Sequence, residues 1–214
     1  MRMDTDQLIR ALAADNTHRP RTVGFVLMLA LLAAAPVSLL IFFAELGVRP
    51  DVMTAIHNPF FDLKFAVTIA LAISAIAVSL HLSRPEASLR GFGWWLLVPA
   101  GLLAAGVSGE MMMPQRVPMM TRLVGSNSKI CMTAVPAMAL PLLAGALIGL
   151  RHGAPSRPAV AGAIAGLVSA GLAATVYAAH CTDDSPLFVA IWYTLATALI
   201  AAIGALAGSR MLRF

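Results

Sequence analysis

Two cysteines are the side chains of this sequence with the widest range of chemistry. Cys131 and Cys181 are the two cysteines among 214 residues and lie far apart along the chain. Paired thiolates bind soft metals such as cadmium and mercury, and chromate-type oxidants oxidise thiols. The imidazole of His180 is a possible helper ligand next to Cys181. This chemistry requires a fold that brings the two thiols together.

The polar neighbours of the cysteines act in opposite directions. Lys129, just before Cys131, would lower the pKa of a nearby thiol, whereas Asp183 and Asp184, just after Cys181, would raise it. A permanent disulfide and a sensing thiol pair fit these positions equally well, and two inert buried side chains are a third alternative. A catalytic disulfide relay is disfavoured, because the sequence has no Cys-x-x-Cys pair and no second pair to pass electrons on.

The elements that position these thiols are predicted to be membrane spans. Hydrophobic residues make up 59% of the chain and charged residues 12%, whereas a soluble domain carries roughly 25% charged residues. The mean hydropathy is +0.84. A bilayer core requires about 20 apolar residues in a helix. Six segments qualify and predict an all-α, polytopic six-transmembrane-helix bundle: residues 22–46, 63–82, 92–113, 130–150, 159–180 and 187–208.

The distribution of lysine and arginine predicts that both termini are cytoplasmic. With the N-terminus inside, five basic residues face outward: Arg49, Lys64, Arg116, Arg122 and Lys129. The other ten of the fifteen face the cytoplasm: Arg2, Arg10, Arg19, Arg21, Arg84, Arg90, Arg151, Arg157, Arg210 and Arg213.

This topology places both cysteines at the external membrane surface. Cys131 opens the fourth span and Cys181 closes the fifth. Because the short loop 151–158 joins these two spans, they are predicted to pack side by side in antiparallel orientation. Packed helices lie 8–10 Å apart, and a disulfide requires Cα atoms within about 7 Å. A modest helix shift would therefore bring the two thiols into bonding range.

The cytoplasmic segment 1–21 is predicted to contain a short amphipathic helix. Asp4 or Thr5 would cap it, and Asp6 lies in its first turn. Leu8, Ile9 and Leu12 share one face, and the opposite face is largely acidic with Asp4 and Asp15. A lipid anchor would carry basic residues there, so the pattern favours docking to a protein over resting on lipid.

Several other features are given structural interpretations. Lys64 and Glu110 lie near external span ends, where a pair between them would hold two helices together. Trp192 and Tyr193 would shape the external mouth, and Trp94 and Trp95 would lie at the interface. Small residues recur at helix-packing spacing, which favours packing within one chain. A homo-oligomer is compatible with this pattern but has no support from it. The small residues are Gly145/Gly149, Gly162/Gly166 and Gly204/Gly208.

Other function classes are weighed and disfavoured. The net charge of +5 comes from dispersed basic residues with no basic stripe, so direct nucleic-acid binding is not expected. A cluster of methionines in residues 111–120 offers thioethers to Cu(I), but methionine also fills membrane interfaces adaptably. The spans lack mid-depth charges, which argues against an ion-coupled transporter. No phosphate-binding loop, nucleophile elbow or zinc-protease motif occurs.

Four short motifs occur in a defined order and spacing along the chain. The first motif is Thr5-Asp-x-Leu8-Ile9-x-x-Leu12-Ala13-x-Asp15, and the second is Asn58-Pro59-Phe60 with Lys64. The third is Arg151-x-Gly153-Ala154-Pro155. The last is Tyr177-x-x-His180-Cys181-x-Asp183-x-x-Pro186-x-Phe188 with Trp192-Tyr193. Together they run from near the N-terminus to the last span, and their order and spacing resemble those of the NrsF-type anti-sigma factors.

The resemblance implies a bacterial inner-membrane protein that holds an extracytoplasmic-function (ECF) sigma factor inactive. It assigns sigma-factor retention to residues 1–21 and the sensing of heavy metals or oxidants to Cys131 and Cys181 within a sensor domain, 22–214. No permanently bound cofactor and no enzymatic activity are expected. Transient cadmium, mercury or an oxidant is the expected ligand, and a sigma factor and lipid are the expected partners. The alternatives are a quinone-linked thiol-disulfide oxidoreductase and a small transporter.

Overall fold

The chain forms a bundle of long apolar helices. The computed structural model describes residues 5–7, 9, 22–83, 93–114, 116–153 and 155–212, in which there is no strand. Six helical segments of this part are long and apolar enough to cross a membrane, which confirms the predicted all-α, six-span architecture. The helices are α1 (Val23–Glu45), α2 (Val52–Ala55), α3 (Pro59–Leu82), α4 (Leu97–Met112), α5 (Met119–Val124), α6 (Ser128–Leu150), α7 (Pro158–Ala178), α8 (Pro186–Phe188) and α9 (Thr194–Met211).

Local sequence signals explain where the first span ends and where the second span begins. α1 ends because Gly47 adopts a positive φ of 72°, a conformation that favours glycine, and the amides of Leu46 and Gly47 both donate to the Phe42 carbonyl at 2.9 Å. α3 begins four residues earlier than the hydropathy predicts. Asn58 Oδ1 accepts a hydrogen bond from the Phe60 amide at 3.1 Å, and Pro59 occupies the first turn, so this pair starts the helix.

The fourth and sixth spans are not uniform helices. The short α5 precedes α6, and together they form the apolar stretch Met119–Leu150. The sixth span starts with α8, continues through a π-helical turn, Val189–Tyr193, and ends as α9. π-helical turns inside helices are rare and frequently lie at functional sites.

Helix α7 lies at the centre of the bundle and packs against α3, α6 and α9, while α1 packs against α6. Glycines make the closest contacts. A Cβ atom at Gly208 would lie 2.6 Å from the Gly162 Cα, and one at Gly149 would lie 2.8 Å from the Leu27 Cα. The interpretation of these small residues as internal packing contacts is confirmed.

The outer surfaces of the bundle are apolar and the two ends differ. α1 exposes Phe25, Leu32 and Phe43, as expected of a helix that faces lipid. Gly149 packs near the start of α1, and Gly208 packs against Pro158, so these residues mark one end of the bundle. Cys131 and Cys181 lie at the opposite end, which is called the cysteine end below.

Candidate thiol site at one end of the bundle

Both cysteines are free and completely buried at the cysteine end. Cys131 lies in the first turn of α6, and Cys181 lies in the connection 179–185 between α7 and α8, which is called the Cys181 loop here. The two thiols are close enough to interact electrostatically. The prediction that the fold brings them to the same end of the bundle is confirmed. They are 0% exposed, although polar segments flank both of them in the sequence.

Two tyrosines enclose the thiols. The Tyr177 and Tyr193 rings lie 5.7 Å apart between centroids, and both hydroxyls interact with the Cys181 side chain. The Tyr177 hydroxyl donates to the Asn127 carbonyl at 3.4 Å. The Tyr193 hydroxyl is buried without a geometrically well-formed hydrogen bond. Tyr193 closes the π-helical turn, so this irregular turn positions the Tyr193 hydroxyl beside the thiols.

Asp183 joins the Cys181 loop to the helix that carries Cys131. Its carboxylate accepts hydrogen bonds from the backbone amides of Ser126 and Asn127 at 3.0 Å and 2.8 Å. The Asn127 side chain adds a third bond at 2.9 Å. The Asn127 side chain makes no N-cap hydrogen bond itself, so Asp183 supplies a negative charge at the start of α6 from a distant part of the chain. The Cys181 loop and the N-terminus of α6 are thereby held together.

Asp184 joins the same loop to two basic residues. Its carboxylate lies 2.9 Å from Arg49 Nη1 and 2.6 Å from Lys64 Nζ. Both cations also donate to the Cys181 carbonyl, Arg49 at 3.2 Å and Lys64 at 2.8 Å. Arg49 and Lys64 are 6% and 1% exposed. Asp184 therefore pairs with two buried cations that both contact the backbone of a cysteine, and Arg49 also pairs with Asp51 at 2.7 Å.

Lys64 and Glu110 have different ion partners from the pair that the sequence suggested. Lys64 pairs with Asp184, and Glu110 pairs with Arg122 at 2.7 Å. Glu110 also accepts hydrogen bonds from Ser185 Oγ at 2.7 Å and from the backbone amide at the start of α8. The reason is geometric, because the Cys181 loop lies against both helices and its polar groups satisfy both charges. Each residue holds this loop.

The aromatic residues of the sixth span connect it to α5. Trp192 Nε1 donates to the Leu123 carbonyl at 3.0 Å, and Tyr193 lies among the thiols. The expectation that the two residues shape the external mouth stays a prediction. At the opposite end, Trp94 and Trp95 are exposed and stacked, with centroids 4.8 Å apart, as expected of interfacial residues.

His180 is oriented by the connection that follows α1. Its Nδ1 lies 3.0 Å from the Gly47 carbonyl, which can only accept a hydrogen bond, so Nδ1 carries the proton in that contact. In that tautomer of the ring, the lone pair lies on Nε2. Among the described residues, no group of three or more His, Cys, Asp or Glu side chains is arranged to hold a metal ion. The helper role of His180 stays a prediction.

Burial controls the electrostatics of the Cys181 loop. Removal from water raises the pKa of the Cys181 thiol, and the nearby positive charge of Lys64 offsets part of that effect. Lys129, the cation expected from the sequence to act on the thiols, is exposed. Hydrogen bonds from Arg49 lower the pKa of the exposed Asp51 carboxyl to about 2. Because burial raises the pKa of its thiol, Cys181 is neutral at physiological pH. A metal ion that binds the sulfur must therefore displace a proton.

Alkylation of Cys181 is expected to be slow at pH 7 and to accelerate with pH beyond the ordinary thiol pKa of about 8.5. The raised folded-state pKa means that the native protein holds the proton more tightly than the unfolded chain. Its contribution to stability is present below the unfolded pKa and is lost as pH rises through the folded pKa. The rate of iodoacetamide labelling of a Cys131→Ser variant, measured at several pH values in the folded and in the unfolded protein, tests this pH dependence. A rate that levels off below pH 8 in the folded protein would contradict it.

The predicted sigma-binding segment falls mostly outside the described residues. Leu8, Leu12, Asp4 and Asp15 lie outside them. Asp6 and Ile9 are helical and exposed, and Ile9 is 58% exposed. The methionines at the cysteine end are also exposed, and nothing in their arrangement adds to the copper interpretation.

Sequence reasoning assigned no role in the site to Arg49 or Asn127. Arg49 counted there as a basic loop residue next to a proline and an aspartate, and no local pattern distinguishes a buried arginine from an exposed one. Its partners Cys181 and Asp184 are 132 and 135 positions away. Only the packing of the spans reveals them.

Six apolar spans with a polar cluster at one end define a multi-pass helical membrane protein. Residues 12–214 match the family model described as NrsF, negative regulator of sigma F, and the chain belongs to this family. It is 35% identical over 219 residues to the anti-sigma-F factor NrsF of Caulobacter vibrioides, covering 99% of this chain and 100% of that protein.

A second relative agrees with this assignment. The probable anti-sigma-F factor NrsF of Azospira oryzae is 30% identical over 217 residues, with 99% and 100% of the two chains covered. No solved structure matches the chain. The resemblance noted from the sequence motifs is confirmed, and the family is one of negative regulators of a sigma factor.

Proposed function

We propose that this protein is an inner-membrane anti-sigma factor that retains an ECF sigma factor through residues 1–21 and releases it when Cys131 and Cys181 react with a soft metal or an oxidant. The N-terminus is cytoplasmic and the cysteine end is periplasmic. The observation that carries the sensing part is the pair of free, buried thiols from two distant segments. Membership of the NrsF family supports the regulatory part.

The chemistry at the thiols has two routes. A soft divalent metal such as cadmium forms two metal–thiolate bonds and releases two protons. An oxidant such as chromate accepts two electrons while the thiols lose two protons and form a disulfide. Both routes draw the Cys181 loop and the N-terminus of α6 together. A ligand shifts an equilibrium only by its different affinity for the two states, and the new bonds supply that difference.

The buried site favours sensing over thiol-disulfide exchange with substrate proteins. An exchange enzyme presents an accessible thiolate to its substrate, whereas both sulfurs here are 0% exposed, and burial keeps Cys181 protonated. A small ion or oxidant can enter through a local opening that a folded protein substrate cannot use. The buried charges Lys64 and Glu110 have ion partners at the cysteine end, which gives no support to an ion path across the membrane.

Sigma-dependent transcription in cells that carry cysteine variants tests this function. In the wild type, cadmium or chromate is expected to raise the activity of a sigma-dependent reporter. Cys131→Ser or Cys181→Ser should abolish that response, because a single thiol forms neither the disulfide nor the two-thiolate metal bridge. A chain without residues 1–21 should give high transcription with or without stress and should no longer co-purify with the sigma factor.

Two results separate the parts of the proposal. An undiminished response in both single-cysteine variants would remove the thiol sensor and leave the anti-sigma role. A truncated chain that still co-purifies with the sigma factor would remove the retention role of residues 1–21. Ser108→Ala is a suitable control variant, because the Ser108 hydroxyl is exposed and bonds only to its own helix at Ala104.

A further inference from the structure

The first membrane span contacts both of the elements that carry the thiols. α1 packs along α6, which carries Cys131. Ser38 Oγ donates to the Met138 carbonyl at 3.0 Å within the buried interface. The two backbones are also close at Gly145, where an added Cβ atom would lie 2.8 Å from the Ala30 carbonyl oxygen. This interface resists movement of α1 relative to α6, because neither backbone has room to slide past the other without repacking.

The second contact joins the C-terminal end of α1 to the Cys181 loop. The Arg49 backbone amide donates to the Ala179 carbonyl at 3.0 Å. Its guanidinium donates to the Cys181 carbonyl and pairs with Asp184. His180 bonds to the Gly47 carbonyl at 3.0 Å. Four polar contacts thus connect residues 47–49 to the loop. Charge-assisted hydrogen bonds of a buried guanidinium are among the stronger contacts in proteins.

These two contacts make α1 sensitive to the distance between the thiols. If Cys181 moves toward Cys131, the Cys181 loop moves relative to α6. α1 is bonded to the loop at its end and packed on α6 along its length, so it cannot keep both sets of contacts unchanged. A tilt or shift of α1 is the response that preserves the charged contacts. α1 is also the span that directly follows residues 1–21.

We propose that Arg49 couples the state of the thiol pair to the first span, and through it to the sigma-binding segment. The inference rests on the proposed sensing function and adds the transmitting residue and the output helix. Arg49 acts through the Cys181 carbonyl, to which its guanidinium donates, and is therefore a positioning residue. Its removal should separate metal binding from sigma-factor release.

The full-length protein and its sigma factor provide the test, with two readouts. Cadmium binding to the purified protein is measured by isothermal titration calorimetry, and the reporter gives the ratio of transcription with cadmium to transcription without it. Arg49→Gln should bind cadmium within about threefold of the wild type, while its induction ratio falls about fivefold or more, as expected of a lost coupling energy. The ratio cancels any change in the basal level.

Lys64→Gln is the matched control. Lys64 contacts the same Cys181 carbonyl and the same Asp184 carboxylate as Arg49, but it belongs to α3 and leaves the link to α1 intact. It should keep most of the induction ratio. An equal loss in Lys64→Gln and Arg49→Gln would overturn the proposal, because general loosening of the Cys181 loop would then explain both.

A second variant covers the case in which Arg49→Gln does not fold. His180→Ala removes another contact between the loop and Gly47 and leaves no buried charge behind. It should lower the induction ratio while the protein still binds cadmium. Cys131→Ser should abolish the response. If it does, a normal induction ratio in Arg49→Gln would overturn the coupling. Where Arg49→Gln does not fold, a normal ratio in His180→Ala would overturn it. A normal ratio in Cys131→Ser as well would overturn the thiol sensor itself.

Discussion

Replacing Asp184 with Asn is expected to destabilise the protein by about 3–5 kcal/mol, the usual cost of breaking a buried ion pair by removing one partner. The Asp184 carboxylate lies 2.9 Å from Arg49 and 2.6 Å from Lys64, whose side chains are 5% and 0% exposed. An amide of the same shape keeps a hydrogen-bond acceptor but removes the negative charge. The buried Lys64 then loses the carboxylate that pairs with it, whereas Arg49 keeps its ion pair with Asp51.

Thermal unfolding of the detergent-solubilised protein measures this effect. Asp62→Asn is the control, because Asp62 is an exposed carboxylate in the first turn of α3 and its loss should change stability by no more than about 0.5–1 kcal/mol. Equal midpoints for the two variants would show that Asp184 does not hold the cations in the folded protein.

Replacing Gly162 with Leu is expected to separate α7 from α9 and to reduce the amount of folded protein sharply. A Cβ atom at Gly208 would already lie 2.6 Å from the Gly162 Cα, so the two backbones leave no room for a side chain between them. The obstructing atoms are backbone, which cannot rotate away as a long side chain does. Overpacking of cores costs typically 1–3 kcal/mol, and a backbone obstruction lies at the upper end or above.

Gly101→Leu is the matched control for this substitution. Gly101 lies in the second turn of α4, where a Cβ atom would meet no side chain and no other helix within 4 Å, and it is exposed on the outer surface. Leucine there adds an apolar side chain to a surface that faces lipid. The yield of monodisperse protein in detergent compares the two variants. A Gly162→Leu protein recovered as well as Gly101→Leu would mean that α7 and α9 are not packed at this distance.

The Cys181 loop gives the cysteine end its character. It forms hydrogen bonds with Arg49, which follows α1, with Lys64 of α3 and with Glu110 of α4. Asp183 joins it to the start of α6. A movement of this loop therefore alters contacts with four other spans at once. A buried pair of thiols in such a place is suited to convert a small chemical change into a change in helix packing.

Much of the architecture follows from the sequence because the bilayer acts on each span independently. Apolar length predicts the number of spans, and an even number of crossings between Cys131 and Cys181 returns the chain to the same end. The early start of α3 at Pro59 was missed, because hydropathy does not register a capping asparagine followed by proline. That signal is local and was present in Asn58 and Pro59, so a closer use of capping rules finds it.

Sequence patterns alone predict the six apolar spans, the placement of both cysteines at one end and the family to which the motifs belong, whereas the structure shows that the cysteines are free. Tertiary structure decided that both thiols are fully buried, that Asp184 rather than Glu110 pairs with Lys64, and that Arg49 joins the first span to Cys181. The physical reason is the range of the interactions. Apolar length and helix caps act within a few residues, whereas the partner of a buried charge is chosen by packing between segments more than a hundred positions apart.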